Sequence, residues 1–428
     1  MRVEDTDRER STDAAVKAIF DGLRWLDLVA DEEPVFQFSR ADRHRAVVNE
    51  LLERGGAYRD FTSAEETGRL RDLAKAERRT FESPWRDREP TVDDLGQPHV
   101  VRFRRPLPGK VTVEDEVQGT VSWSNDDLDD LVLLRSDGAP TYNLAVVVDD
   151  HDMGVTHVIR GDDHLNNAAR QSLIYDALGW TRPVFAHIPL IHGPDGAKLS
   201  KRHGAQAVHE YAEMGYLPEA MRNYLARLGW AHGDEELFSD AQAREWFDLT
   251  GVGKAPARLD FDKLAHVNAH WIRLADDLRL ARMTLEVHLA RGHTLRPDDE
   301  ARLLRAIPYI KDRAKTLLEL ADQTAFALKV RPLAIFEKAL PMLTGESGER
   351  IGRLRDRLRL FASWDVFALE AELKVFAEEE AVGFGKIGPA VRAALTGDGV
   401  SPDIAKTLAA LGREESLGRL DDALQQTI

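Results

Sequence analysis

Residues 196–204 read Gly-Ala-Lys-Leu-Ser-Lys-Arg-His-Gly (GAKLSKRHG), and the two lysines of this stretch, Lys198 and Lys201, lie three positions apart. Glycines flank the run, with Pro194 and Asp195 just upstream, so the backbone can form a loop that approaches a ligand closely. Lysine is a compact point charge that suits phosphate oxygens. The stretch predicts either a loop that clamps a triphosphate or a solvated basic turn, and the spacing alone does not separate the two.

The elements predicted around this loop favour phosphate binding. Residues 156–160 read as a short apolar strand, 166–178 as a helix and 184–191 as a second strand that leads into the loop. A loop at the carboxyl end of a parallel sheet is the usual place for a phosphate site. Residues 141–150 (TYNLAVVVDD) predict a buried helix or strand with a polar edge.

Hydrophobic periodicity predicts the remaining elements. Helices are expected at 12–26, 40–54, 64–75 and 218–228, and strands at 100–104, 111–113 and 131–134. No strand and no glycine-rich phosphate turn is predicted in residues 1–11, before the first helix. The strands belong to a predicted α+β module, and from about residue 298 the pattern is helical to the end.

Composition limits the classes of protein. The 428 residues are enough for two to four domains, and no apolar run approaches the roughly 20 residues that span a bilayer, so no membrane partner is expected. Cysteine is absent, which excludes disulfides and cysteine-based zinc sites. The net charge of −16 argues mildly against a nucleic-acid partner, but local basic patches decide such binding.

Three stretches resemble the glutamyl-tRNA synthetases, which are class I aminoacyl-tRNA synthetases. Residues 196–204 contain KLSKR, a form of the KMSKS signature loop, and residues 158–167 (VIRGDDHLNN) resemble a strand-to-helix junction of that family. Residues 2–11 (RVEDTDRERS) resemble its R-I/V-E-D-T-D stretch, and residues 383–397 resemble a recurring stretch of the anticodon-binding part. The motifs stand in the family's order, and the resemblance covers the whole chain.

The resemblance implies an α/β fold: a class I Rossmann-like catalytic domain, N-terminally truncated, with an inserted α+β module, followed by all-α tRNA-binding domains. The implied parts are 1–58 and 141–191 for the catalytic domain, 59–140 for the module that binds the acceptor end, 192–297 for the stem-contact region with the KLSKR loop and 298–428 for the anticodon-binding region. Some family members bind zinc through cysteines in the module. Here residues 58–61 are Tyr-Arg-Asp-Phe, so no zinc is expected.

The resemblance also implies an activity, its partners and its site residues. The activity is ATP-dependent ligation of L-glutamate to tRNA(Glu) through a glutamyl-adenylate, with Mg²⁺ accompanying the nucleotide, in a cytoplasmic and monomeric protein. The implied roles are catalysis by Lys198 and Lys201, ATP binding by Lys201, Gly161 and His164, glutamate binding by Glu4, Tyr142 and Arg160, and anticodon reading by Arg313.

When the family resemblance is set aside, the sequence allows other roles for most of these side chains. Arg160 would be an ion-pair partner of Asp162 or Asp163. Tyr142 would belong to the core, and Glu4 and His164 would be ordinary surface residues. Arg313 would form a surface salt bridge.

Family members place a strand, a turn and the HIGH signature before the R-I-E-D-T-D stretch, and none of these is present in residues 1–428. The lost turn would bind the ATP phosphates opposite Lys201, so an inactive chain is one expectation. The alternative function is a non-catalytic tRNA-binding remnant. A base-modifying paralogue lacks an anticodon-binding region, and residues 298–428 argue against it.

Overall fold

The computed structural model describes residues 1–7, 11–193, 195–199, 207–397 and 402–426. The chain divides into two compact units, each discontinuous in sequence. The first comprises Met1–His209 and Arg222–Asp260, and the second comprises Glu210–Met221 and Phe261–Ile428.

The strands of the described residues all lie in the first unit. In chain order they are β1 (Arg2–Val3), β2 (Val35–Phe36), β3 (Ala57–Asp60), β4 (Val100–Phe103), β5 (Lys110–Asp115), β6 (Gly119–Ser124), β7 (Val132–Leu134), β8 (His157–Gly161) and β9 (Val184–Ile188). They form a parallel pair β1–β2, an antiparallel sheet β3–β4–β7 and a four-stranded sheet in the order β6–β5–β9–β8. In the last sheet β5, β9 and β8 are parallel and β6 is antiparallel to β5.

The helices become more frequent along the chain. The first ones are α1 (Asp13–Trp25), α2 (Ala41–Glu53), α3 (Ala64–Ala76), α4 (Val92–Leu95), α5 (Tyr142–Asp152), α6 (Leu165–Leu178), α7 (Val208–Glu213), α8 (Pro218–Gly229) and α9 (Asp240–Trp246). The second unit continues with α10 (Phe261–Leu274), α11 (Asp277–Ala290), α12 (Asp299–Ala306), α13 (Leu317–Leu328), α14 (Gly345–Leu360), α15 (Val366–Glu379), α16 (Phe384–Thr396), α17 (Ile404–Leu411) and α18 (Arg413–Gln425). The prediction of an α/β part followed by an all-helical part is confirmed.

Local signals explain where these helices begin and end. The Thr12 side chain accepts a hydrogen bond from the Ala15 N–H and caps α1, which satisfies one of the unpaired donors of the first turn. Helix α6 ends at Gly179, whose φ of 72° places it in the left-handed region that favours glycine. Residues 141–150, predicted as helix or strand, begin α5, in which seven consecutive residues from Leu144 to Asp150 are buried.

One hydrophobic core supports the site described below. Helices α2, α5 and α6 pack on the β3–β4–β7 sheet through side chains that are almost fully buried. These include Val47, Val48, Leu51, Val101, Phe103, Leu133, Leu144, Val148, Leu173 and Ile174. Because α5 and α6 are held by this core, the residues at their N-termini have fixed positions.

Two expectations from the sequence need correction. Residues 1–11 were expected to hold no strand, but Arg2 and Val3 pair in parallel with Val35 and Phe36. A strand of two residues is too short to show the alternation of apolar and polar side chains. It is recognised only from its pairing with a distant strand. Strands β3 and β6 were also missed, because β3 is short and charged and β6 consists mainly of small polar residues.

The predicted module contributes to two sheets. Strands β3, β4 and β7 form one sheet, whereas the β5–β6 hairpin joins β9 through the pair Asp115 and Phe185. The proposed boundaries at 59 and 140 stay a prediction. Within the described ranges, no helix has both the length and the apolar character needed to cross a membrane.

Candidate active site

A cavity of about 600 Å³ opens beside the carboxyl end of β8. Its lining includes Glu4, Tyr142, Arg160 and His164, four residues that the sequence assigned to substrate and nucleotide binding. Arg2 and Asp150 also line it. The structure therefore brings together side chains that lie up to 162 positions apart in the chain.

The fold places each of these residues at the end of an element. Tyr142 is the first residue of α5 and Arg160 is next to last in β8. A 3₁₀ turn of Asp162–His164 links β8 to α6. Because parallel strands β8 and β9 end on the same edge of the sheet, the residues that follow them meet there, as ligand-binding residues do in open α/β sheets.

The guanidinium of Arg160 is held on two of its three nitrogens. Nε donates to Nε2 of His187 over 3.1 Å, and Nη2 donates to Oε1 of Gln171 over 2.8 Å. Nη1 is buried and has no hydrogen-bond partner among the described residues. The predicted ion pair of Arg160 with Asp162 or Asp163 is not formed in the described part of the chain, because the guanidinium is directed toward β9 and α6.

His187 is fully buried on β9 and forms a close pair with Asp115 at the end of β5. The Nδ1 atom lies 2.5 Å from Oδ2 of Asp115. Burial lowers the pKa of His187, and the nearby Arg160 charge acts in the same direction, against the opposite effect of Asp115. Burial also opposes ionisation of Asp115, but hydrogen bonds from Gln118 and His187 outweigh it and keep the pKa of Asp115 below its usual value.

Tyr142 and His164 form a second contact within the lining. The Tyr142 hydroxyl lies 3.3 Å from Nδ1 of His164, and Nδ2 of Asn167 lies 3.2 Å from the same nitrogen. Burial raises the pKa of Tyr142, so its hydroxyl keeps its proton and can donate a hydrogen bond. Tyr142 is half-buried at the cavity rather than enclosed in the core.

Glu4 is connected to the cavity through Arg2. The Arg2 guanidinium donates to Oε1 of Glu4 over 3.2 Å and to Oδ1 of Asp150 over 2.6 Å. Burial raises the pKa of Asp150, although Arg2 acts against this. The Glu4 side chain is 43% exposed, so its carboxylate is accessible to a bound cation.

The lysine loop is described only in part. The Nζ atom of Lys198 lies 3.0 Å from Oδ2 of Asp163, while Lys201 lies outside the described residues. A Cβ atom at Gly161 would lie 2.7 Å from Oδ1 of Asp163, so glycine allows this carboxylate to turn back toward the strand end. Lys198, Asp163 and Gly161 thus meet beside the cavity residues Arg160 and His164.

Arg313 lies in the second unit, at the end of the 3₁₀ helix Lys311–Arg313. Arg313 is exposed to solvent. No side-chain ion pair of Arg313 is found among the residues that the structure describes. The surface salt bridge considered for it is therefore not formed within that part of the chain.

Sequence reasoning missed several polar residues around Arg160, namely Asp115, Gln171 and His187. A signal existed for one of them: His187 is the single ionisable residue in the otherwise apolar strand Val184–Ile188. Nothing in the sequence joined Asp115 to it, since 72 positions separate the two.

Comparisons with known proteins show the family of this chain. A family model described as "tRNA synthetases class I (E and Q), catalytic domain" matches residues 1–266, and one described as "Anticodon binding domain" matches residues 275–424. The fold is that of a class I tRNA synthetase of this group.

Individual relatives narrow the assignment. The glutamate–tRNA ligase of Caulobacter vibrioides is 62% identical over 424 residues, which cover 99% of this chain and 90% of the relative. That of Phenylobacterium zucineum is 61% identical with the same coverage. A crystal structure of a glutamate tRNA ligase from Elizabethkingia meningosepticum, in complex with its amino acid, matches with a TM-score of 0.83 and 28% identity, covering 100% of this chain and 92% of that one. The chain belongs to the glutamate–tRNA ligase family.

Proposed function

We propose that this chain activates L-glutamate with ATP and transfers it from the adenylate to the 3′-terminal ribose of tRNA(Glu). The observation that carries the proposal is the clustering of Glu4, Tyr142, Arg160 and His164 around one cavity. The lysine loop adjoins that cavity through the Lys198–Asp163 pair. The reported relatives bear the ligase name, which gives no support to a non-catalytic tRNA-binding remnant.

The cavity offers a partner for each charge of glutamate. The free Nη1 of Arg160 carries a buried N–H whose unpaired state costs free energy. A carboxylate would satisfy it, since charge-assisted hydrogen bonds between a guanidinium and a carboxylate are among the strong ones in proteins. The Tyr142 hydroxyl can donate to the same carboxylate, and Glu4 can accept from the substrate ammonium.

The phosphates of ATP would lie on the side of the lysine loop. Charge develops on them during adenylate formation, so preorganised cations lower the barrier. Lys198 is one such cation, and Lys201 is proposed as the one that stabilises the leaving pyrophosphate. Gly161 and His164 would border the nucleotide.

Magnesium fits this site only as a companion of the nucleotide. The described residues contain no group of three or more His, Asp or Glu side chains arranged to hold a metal ion. Mg²⁺ is commonly bound through substrate phosphates with few protein ligands. We therefore place Mg²⁺ with ATP and expect no zinc.

The tRNA would be bound at several places along the chain. Residues 59–140 are proposed to hold the acceptor end, and the helices that match the anticodon-binding model would hold the anticodon, with Arg313 as the base-reading residue. We further propose a monomer that works in the cytoplasm.

The test is attachment of labelled glutamate to tRNA(Glu) by the wild-type chain and by Arg160→Ala. The variant should raise the KM for glutamate by about 10- to 100-fold, since a buried charged contact contributes roughly 1.5–3 kcal/mol. Arg24→Ala is a matched control, because Arg24 is exposed on α1 and its one ion pair in the described part of the chain is with Asp21. Unchanged glutamate kinetics in Arg160→Ala would remove Arg160 from the substrate site, and a wild type without charging would contradict the proposed function.

A further inference from the structure

Arg160, His187 and Asp115 form a continuous hydrogen-bonded chain across three parallel strands. Arg160 and His187 are register partners on β8 and β9. Asp115 is the last residue of β5 and pairs with Phe185 on β9. His187 has no exposed side-chain surface, and neither has the Asp115 side chain.

The contacts of Asp115 fix its orientation. Its Oδ1 atom accepts three backbone N–H groups, from Val117 at 3.0 Å, Gln118 at 2.8 Å and His187 at 3.0 Å. Three donors on one oxygen leave the carboxylate no freedom to rotate. Its Oδ2 atom therefore points at Nδ1 of His187 and at no other described donor.

That orientation decides which imidazole nitrogen carries the proton. An ionised carboxylate only accepts hydrogen bonds, so Nδ1 of His187 must be the donor. In the neutral ring Nε2 is then a bare acceptor. It faces the Nε–H of Arg160 at 3.1 Å, which is the donor it requires.

We propose that Asp115 and His187 are positioning residues that hold the Arg160 guanidinium in the orientation that binds the substrate carboxylate. This rests on the proposed function, in which Arg160 receives that carboxylate. His187 fixes Nε, while Gln171 and the His164 carbonyl hold Nη2 at 2.8 and 3.4 Å. Both ends of the planar fork are thereby fixed, and Nη1 is the nitrogen left without a hydrogen-bond partner among the described residues.

The contact with Arg160 explains why a histidine suits position 187. A lysine or arginine would repel Arg160, and a carboxylate would form an ion pair that competes with the substrate carboxylate. A neutral imidazole accepts one hydrogen bond and adds no charge. Because its hydrogen bond to Asp115 holds the ring in place, the imidazole orients the Arg160 guanidinium without neutralising the guanidinium charge.

Asp115→Asn is the variant that separates this role from a purely structural one. The amide oxygen would keep the three backbone donors, which turns the NH₂ group toward Nδ1 of His187. The ring must then accept at Nδ1 and carry its proton on Nε2, facing the donor Nε–H of Arg160. We expect the KM for glutamate to rise about 10- to 100-fold, as a small misplacement near the reacting groups does, while the KM values for ATP and tRNA stay unchanged.

A spectroscopic measurement checks the same point without activity. In the ¹⁵N spectrum of histidine-labelled protein, assigned with His187→Gln, the wild type should show a protonated Nδ1 and a bare Nε2 for His187. In Asp115→Asn, Nε2 of His187 should carry the proton and Nδ1 should be bare. A wild type protonated at Nε2 would overturn the positioning role.

Two further variants cover the case in which Asp115→Asn fails to fold. His187→Gln retains an amide donor and acceptor, so its KM for glutamate should lie much closer to the wild-type value. His187→Phe has neither group, so its KM for glutamate should stay raised. Asp299→Asn is the matched control, since Asp299 is a buried partner of His293 at 2.8 Å in the second unit. It should leave the KM for glutamate unchanged.

The outcomes are distinguishable. If the wild type neither charges nor binds glutamate, the proposed function fails and the positioning role falls with it. If the wild type charges glutamate and a folded Asp115→Asn has the same KM, the positioning role alone is wrong. Equal KM values for His187→Gln and His187→Phe would also contradict it.

Discussion

Lys198 and Asp163 join two motifs that lie 35 positions apart, with Nζ of the lysine 3.0 Å from Oδ2 of the aspartate. The sequence offered Asp163 as a partner of Arg160, but the carboxylate instead binds the lysine loop. Hydrogen bonding to Lys198 lowers the pKa of Asp163, so the carboxylate is charged near neutral pH. The two side chains are 61% and 42% exposed, and such pairs contribute little to stability, so phosphate oxygens can replace Asp163 at Lys198.

Lys198→Ala should therefore slow adenylate formation without destabilising the fold. We expect a loss of about 10-fold in the single-turnover rate for Lys198 and of about 10²-fold or more for Lys201→Ala, since losing a preorganised charge at developing oxyanions has such effects. The unfolding midpoint of Lys198→Ala should match the wild type. A wild-type rate in either variant would exclude that lysine from the phosphate site.

The buried His187 predicts a pH dependence of stability. Its pKa is lowered in the folded state, whereas the unfolded chain titrates near 6.5. Below about pH 6.5 the unfolded state binds a proton that the folded state does not, so the free energy of unfolding falls as the pH falls. Urea unfolding from pH 7.5 to 5.5 should show a shallower decline for His187→Gln than for the wild type.

Other histidines do not obscure that comparison. Burial also lowers the pKa values of His270 and His288, but their contributions are the same in both proteins and cancel in the difference. Asp115, with its lowered pKa, adds a further loss only below about pH 4. Parallel curves for wild type and His187→Gln would contradict the prediction.

The ion pair of Arg102 with Asp60 predicts a stability effect in the predicted module. Their side chains are 3% and 0% exposed. Arg102→Met would leave the Asp60 charge buried without the Arg102 cation, which costs about 3–5 kcal/mol. This loss of stability is measured by denaturant unfolding of Arg102→Met and of the double variant Asp60→Leu/Arg102→Met. The double variant should recover most of the loss, and additive losses would show that the pair is not coupled.

Arg313 predicts a selective effect on tRNA. Arg313→Ala should raise the KM for tRNA(Glu) by about 5- to 100-fold, because one good base contact contributes roughly 1–3 kcal/mol, and leave the KM for glutamate unchanged. Arg282→Ala, which removes an exposed pair with Glu300 in the same unit, is the control. Equal tRNA kinetics in both variants would contradict base reading by Arg313.

The resemblance to the glutamyl-tRNA synthetases was sufficient to predict which motif residues would meet, whereas the residue patterns alone left other roles open for them. For the strand-to-helix junction that carries Arg160 and His164, the rule that ligands bind beyond the carboxyl ends of parallel strands agrees with that prediction. The buried face of α5 and the capped start of α1 followed from local patterns. These predictions depend on periodicity and chain order, which a single sequence displays.

The hydrogen-bonded support of Arg160 could not be predicted in the same way. It depends on the register between β8 and β9, and a slip of one residue would place His187 on the other face of the sheet. It also depends on a contact between β5 and β9 that consists of one residue pair. No pattern within either strand specifies that contact.

The attachment of β5 to β9 has a practical consequence for hybrid enzymes. Residues 59–140, the segment proposed to hold the acceptor end, would be exchanged as a cassette to transplant that recognition between relatives. That cassette carries Asp115, so each transplant also replaces the residue that orients His187. Hybrids should keep glutamate affinity when the donor supplies an aspartate in the same register, and cut points that leave the β5–β6 hairpin with the recipient would be the safer choice.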